Sequence, residues 1–276
     1  MDENGRAQHA RVATRLICID VDGTLVGSSG IVDDVVWMAA ERVRASGIRL
    51  AVCSGRPGFG TSRDIAERLE PDGWHSFQNG ASVVNLASGR SLSTALAPEI
   101  VRRLIERARA TGRILELYTD ETYAEETRAE RAVRHAGLLG IPYSPESFAS
   151  LDGRIVRAQW LLSIEQAESV LAEPHPGLEV SPSLSPLMPD TMFVNLTPAG
   201  IDKSTAVRAL AAEYGLSLDE VMFVGDGRND ASAMRIVGRA VAMGNAEPEA
   251  LEVAPVTVGH VDDAGLVEAL ELALAA

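Results

Sequence analysis

The sequence predicts an α/β fold in which a parallel sheet, with helices on its faces, is interrupted by an inserted α+β region. Three observations predict it. Short apolar runs alternate with amphipathic stretches near both ends of the chain, the rhythm of βαβ units. That rhythm stops near residue 86 and resumes near residue 190, with a segment of mixed character between. Apolar residues make up 46% of the 276, enough for a sizeable core.

Residues 1–12 have no apolar period and read as a disordered tail. Residues 15–19 (RLICI) have the composition of a buried strand that ends at Asp20. Residues 33–46 have helical spacing, with Asp33 at the start and Gly47 just past the end. A second apolar run, 48–53, ends at Ser54, and Pro57 then marks the start of the next helix. The insertion reads as a helix over 98–111, strands over 113–119 and 154–164, a helix over 165–172 and a proline-rich connection, SPSLSPLMP, over 181–189. Helix 203–214, strand 221–224, helix 230–237, strand 240–243 and helix 264–275 complete the pattern. The expected organisation is a core from residues 13–85 and 190–276 around an insertion of residues 86–189, with chain crossings near 84–87 and 187–191.

Lys and Arg number 25 against 39 Asp and Glu, a net charge of −14. Such a chain is a poor binder of nucleic acid or of anionic membranes, both of which call for basic patches. No apolar run approaches the ~18 residues that span a bilayer. The polar start lacks a signal-peptide pattern, so a soluble cytoplasmic protein is the expectation. Cys18 and Cys53 are too few for a disulfide framework and read as small buried hydrophobes. His75, His135, His175 and His260 show no zinc spacing. Arginines at helical spacing (102, 103, 107 and 109, then 128, 131 and 134) read as solvated helix faces.

Four short motifs remain. Asp20-Val21-Asp22-Gly23-Thr24 follows a buried strand and projects two carboxylates to the same side, since strand side chains alternate. Close like charges are costly without a cation between them, and a hard cation such as Mg²⁺ takes oxygen ligands. Asp-Gly is equally a common turn pair. Ser54-Gly55-Arg56-Pro57 offers a hydroxyl and N–H groups that suit a phosphate, or a simple N-cap serine. Lys203 opens a helix, where most lysines are solvated charges. Gly225-Asp226-Gly227-Arg228-Asn229-Asp230 is a turn or a set of metal ligands, without EF-hand spacing. Their common placement, at strand ends and helix heads, converges on the sheet edge where open α/β sheets bind ligands.

Together the motifs IDVDGTL (19–25), CSGRP (53–57), QNGA (78–81), GIDKSTAV with Lys203, GDGRND (225–230) and AVAMGNA (240–246) resemble those of the haloacid dehalogenase superfamily, in particular its Cof-type phosphatases. The resemblance runs from Leu16 to the end of the chain. It implies a Rossmann-like core carrying an α+β cap, and a Mg²⁺-dependent phosphatase acting on a small phosphate ester, a sugar phosphate being one candidate. It implies that Asp20 is the nucleophile and Asp22 the general acid and then base. Ser54, Gly55, Lys203 and Asn229 would hold the phosphoryl group, and Asp20, the Asp22 main-chain carbonyl and Asp226 the Mg²⁺. Thr24, Arg56, Asn79 and Asp230 would support them. Asp22 can serve as an acid near neutral pH where burial and the nearby carboxylates raise its pKa. A phosphomutase of the same superfamily is the alternative. A receiver-like regulatory module, which also unites carboxylates, a hydroxyl and a lysine, would not need the insertion.

Overall fold

The computed structural model describes residues 12–143, 145–185 and 187–275, so the tail expected over 1–12 lies outside the described residues except for Val12. In chain order the elements are β1 (Leu16–Ile19), α1 (Asp34–Ala45), β2 (Arg49–Val52), α2 (Thr61–Leu69), β3 (Trp74–Phe77), β4 (Ser82–Asn85), α3 (Pro98–Thr111), β5 (Ile114–Tyr118), β6 (Tyr123–Glu125), α4 (Glu130–Leu139), β7 (Arg157–Ser163), α5 (Ile164–Leu171), β8 (Leu178–Ser185), β9 (Met188–Pro198), α6 (Lys203–Glu213), β10 (Val221–Gly225), α7 (Ala231–Met234), β11 (Arg239–Ala242), α8 (Pro248–Val253), β12 (Val256–Thr257) and α9 (Gly265–Leu274).

The core is a parallel sheet in the order β12-β11-β10-β1-β2. Its strands are apolar on both faces because helices cover both. Ile17, Ile19, Leu50 and Val52 turn toward α1 and α9, where Trp37, Val43, Leu266 and Leu270 pack. Leu16, Cys18, Ala51 and Phe223 turn the other way, toward Val207 and Leu210 of α6 and Met234 of α7. Cys18 and Cys53 are buried in this second layer as free thiols.

β2 is an edge strand, and side chains satisfy its outward N–H groups. Glu70 accepts from Leu50 N at 3.3 Å, and His75 Nδ1 accepts from Val52 N at 3.0 Å. That contact leaves the His75 proton on Nε2, which donates to Glu70 O at 2.9 Å, so the buried ring is neutral. Burial lowers its pKa to about 4 from the ordinary 6.5, against the raising effect of the Glu70 carbonyl. The unfolded chain therefore takes up this proton first as pH falls. Stability from His75 should be complete above pH 6.5 and decline by roughly 3 kcal/mol toward pH 4. Urea unfolding between pH 7.5 and 4.5 checks this; the same pH slope in His75→Gln would remove His75 as its cause.

The second sheet is antiparallel, in the order β6-β5-β7-β9-β8. One face packs on α3 and α5 through Leu104, Leu115, Leu117, Trp160 and Val194. Of the proline-rich connection expected over 181–189, residues 181–185 instead end β8 and 188–189 begin β9, while 186 lies outside the described residues. Pro182 is tolerated because β8 is the sheet edge and needs no outward N–H. β9 also runs through the expected boundary at 189/190: residues up to Pro198 pair with β7 and β8. The return to the core therefore falls at residues 199–202, not at 187–191. The outward crossing is later than 84–87 as well. After the β3–β4 hairpin, Leu92 N and Thr94 N still bond to Val83 O and Ala81 O, and Leu96 N is the first to reach the cap, at Ile155 O. Beside that crossing Asp120 accepts hydrogen bonds from Ser82, Ser91 and Ser93 at 2.5–2.8 Å, which ties the β5–β6 turn to the core hairpin.

Candidate active site

Asp20 leaves the carboxyl end of β1 and Asp226 follows that of β10, the neighbouring strands at which the strand order reverses. Lys203 reaches the same point as the first residue of α6, whose N-terminus is fixed by Asp202: its side chain accepts from Ser204 N at 2.9 Å and Thr205 N at 3.1 Å. Lys203 is only 1% exposed, and its Nζ donates to Asp20 Oδ1 at 2.6 Å and Asp230 Oδ1 at 2.5 Å. Asp230 Oδ2 in turn accepts from the N–H groups of Asp226 (3.0 Å) and Gly227 (2.8 Å). Thr24 Oγ1 donates to Asp226 Oδ1 at 3.3 Å, and Asn245 Nδ2 donates to both Gly23 O and Asp226 Oδ2. A Cβ at Gly23, where φ is +80°, would stand 2.1 Å from Asp226 Oδ2, so the turn after Asp22 requires glycine.

Electrostatics follow from this crowding. Burial, followed by the neighbouring carboxylates, raises the Asp20 pKa well above the ordinary 3.8, while Lys203 opposes the shift. Burial and Asp230 push Asp226 up to about 7. Burial works against the Lys203 charge, yet Asp20 and Asp230 hold its pKa above the usual lysine value. Asp20, Asp226 and Asp230 each bring an oxygen within 4.8 Å of the others.

Asp22 departs from expectation. Its side chain is 62% exposed, not buried, and forms a two-pronged pair with Arg56: Nε to Oδ2 at 2.8 Å and Nη2 to Oδ1 at 2.5 Å. The Ser54 segment differs too. Pro57 does not open a helix; α2 begins at Thr61, after the Gly58-Phe59-Gly60 loop in which Phe59 reaches across to Tyr118 and Tyr123. Ser54 is fully buried at the end of β2, with Oγ accepting from Arg56 N at 3.1 Å. Asn79 and Asn229 are joined by a 2.9 Å hydrogen bond, and Asn79 also lies against Gly55. The 78–80 turn packs on the head of α6 so tightly that a Cβ at Gly80 would meet Asp202 O at 2.1 Å.

Two contacts at the candidate site are not expected from the sequence. Asn245 sits in the AVAMGNA motif but had no role assigned. Arg157 extends from the cap, donates to Gly55 O at 2.7 Å and to Asn195 at 2.9 Å, and stacks over the Tyr118 ring. Its signal was the alternation Arg157-Ala158-Gln159-Trp160, a strand with one polar face.

A family model described as haloacid dehalogenase-like hydrolase matches residues 17–270. An HMP-PP phosphatase of Cronobacter sakazakii is 22% identical, over 89% of this chain and 90% of its own length. The crystal structure of a haloacid dehalogenase-like hydrolase from Bacteroides thetaiotaomicron aligns with a TM-score of 0.80 at 28% identity, over 94% of this chain and 99% of that one. A HAD subclass IIB sugar phosphatase shares the fold, with a TM-score of 0.79 at 22% identity over 94% of this chain and 98% of that one.

Proposed function

Given that the chain belongs to the haloacid dehalogenase-like hydrolase family, we propose that this phosphatase is Mg²⁺-dependent and hydrolyses a small phosphorylated metabolite through a phosphoryl group carried on Asp20. The observation that carries the reading is the buried Lys203 ammonium between Asp20 and Asp230, with Asp226 beside them. Three carboxylates and one ammonium leave an excess of negative charge that a divalent cation would balance. Both Asp230 oxygens are held at 2.5–3.0 Å, by Lys203 and by two N–H groups, whereas the Asp226 oxygens accept only at 3.2 and 3.3 Å. Asp20 and Asp226, with the Asp22 main-chain carbonyl, would therefore hold the Mg²⁺, and Asp230 would keep Lys203 and the 226–227 backbone in position. The cation would offset the negative charge of the phosphoryl oxygens.

In this reading Asp20 attacks phosphorus and Asp22 protonates the leaving oxygen, then takes a proton from the water that hydrolyses the acyl phosphate. Lys203, Ser54, the Gly55 N–H and Asn229 stabilise the equatorial oxygens. Because Arg56 holds both Asp22 oxygens, proton delivery requires the substrate to displace that pair, which couples acid catalysis to substrate arrival. The cytoplasmic location expected from the sequence belongs to this proposal; among the described residues no helix is long and apolar enough to cross a membrane.

A phosphate-release screen over many esters tests the reading. Activity should vanish with excess chelator and return with Mg²⁺, and Mg²⁺ should raise the melting temperature of the unliganded protein. Full turnover in chelator would overturn the metal assignment, and isomer interconversion without net phosphate release would favour the mutase.

A further inference from the structure

On the face of the cap sheet opposite α3 and α5 the strand registers arrange polar side chains in two rows, beyond which Ile114, Leu161 and Phe193 form an apolar row against α4. Tyr123, Tyr118 and Arg157 pair across β6, β5 and β7; two residues further along, about 7 Å away, Glu125, Glu116, Gln159 and Asn195 pair across β6, β5, β7 and β9. The first row meets the core: Phe59 stacks on Tyr118 and Tyr123 with ring centres 6.3 and 6.2 Å apart, and Arg157 grips Gly55 O. The second row is unevenly satisfied. Glu116 accepts from Tyr118 at 2.6 Å and Gln159 at 3.2 Å, and pairs with His135 at 2.8 Å. Glu125 is 0% exposed, and neither of its oxygens has a hydrogen-bond partner among the described residues.

An ionised carboxylate can only accept, so burying one without donors is unfavourable and favours the protonated form until a cation arrives. Burial, then the Glu116 charge, push the Glu125 carboxyl up to about 8. Unpartnered polar atoms extend to the boundary with the core. The Tyr123 hydroxyl and Gln78 Oε1 also lack partners among the described residues. Gln78 is fully buried, donates through Nε2 to Thr119 O, and holds the left-handed φ of +55° that a non-glycine residue rarely adopts. Among the described residues the three acceptors without donors, both Glu125 oxygens and Gln78 Oε1, thus outnumber the two unpartnered donors nearby, the Tyr123 hydroxyl and Arg157 Nε. A group bringing several N–H donors and a positive charge answers this deficit, and a hydroxyl brings one donor and no charge.

We propose that Glu125, with Glu116 behind it and Tyr123 at its side, receives a primary ammonium on the leaving portion of the substrate when the cap and core part to admit it, so that the preferred esters are amino-bearing ones. The inference rests on the phosphatase reading above and deepens it by naming a substrate class.

Matched pairs test it in the intact protein with Mg²⁺, below the pKa of the amines: glucosamine 6-phosphate against glucose 6-phosphate, and 2-aminoethyl phosphate against 2-hydroxyethyl phosphate. In at least one pair kcat/KM should favour the amine by ~10-fold or more, the scale of a charge-assisted hydrogen bond. Glu125→Gln, checked for folding by its melting curve, should bring that ratio close to one. Equal or lower values for the amine in both pairs overturn the inference, whether or not the variant folds, and so does a preference that survives Glu125→Gln. No turnover of any ester, p-nitrophenyl phosphate included, would defeat the underlying phosphatase reading and this inference with it.

Discussion

Asp20→Asn is expected to reduce phosphate release by at least ~10³-fold, the scale of losing a nucleophile, in a protein that still folds. The amide keeps the shape of the side chain but has no charge with which to attack phosphorus. Asp20 is 6% exposed and shares its surroundings with Asp22, Asp226 and Asp230, which together with burial disfavour its charge. Neutralising it relieves that repulsion while Lys203 keeps Asp230, so the melting temperature should move little. Steady-state kinetics and a melting curve on the same preparation separate the two effects. Near-normal turnover would take the nucleophile role away from Asp20.

Lys203→Ala should damage both activity and folding. The ammonium is the cation that both Asp20 and Asp230 contact directly, at 2.6 and 2.5 Å. Removing one member of a buried ionic set costs about 3 kcal/mol or more, because the remaining charges stay buried without compensation. Urea unfolding should show that loss, and phosphate release should fall by at least ~10²-fold through lost stabilisation of the phosphoryl oxygens. A variant with wild-type stability and turnover would mean that the 203–230 contact is incidental.

The clustering of the proposed catalytic residues at one sheet edge is legible because they lie where local patterns stop. Asp20, Ser54 and Asp226 each end or follow an apolar run, and Lys203 follows an Asp that caps a helix. What strand-end patterns could not show was long-range pairing. The pair of Asp22 with Arg56 spans 34 positions, and no local signal says that an exposed carboxylate will be held in this way. Pro57 has the usual look of a helix start, but Phe59 is drawn to the cap tyrosines and the helix waits until Thr61. The proline-rich stretch reads as a connection because proline is rare within sheets, and only the sheet order reveals that β8 is an edge where it is allowed. Arg157 lies in the strand expected over 154–164, whose alternation marks a polar face but cannot name its partners, Gly55 and Asn195, 102 and 38 residues away.

β9, which pairs with both neighbours in the cap sheet, ends at Pro198, and Lys203 begins α6 five residues later. The short span between them is pinned, with Thr197 Oγ1 donating to Ile201 O and Ile201 N bonding to Pro198 O. Tolerance of length changes is therefore expected to be unequal along the insertion. Gaining or losing residues in the connection between α4 and β7 should leave the path of the chain to Lys203 unaltered. A single insertion or deletion in 199–202 would shift the lysine itself. Among descendants of this sequence, length variation should accumulate in the former and be purged from the latter, so that the cap diversifies from its far side while the joint beside Lys203 keeps its length.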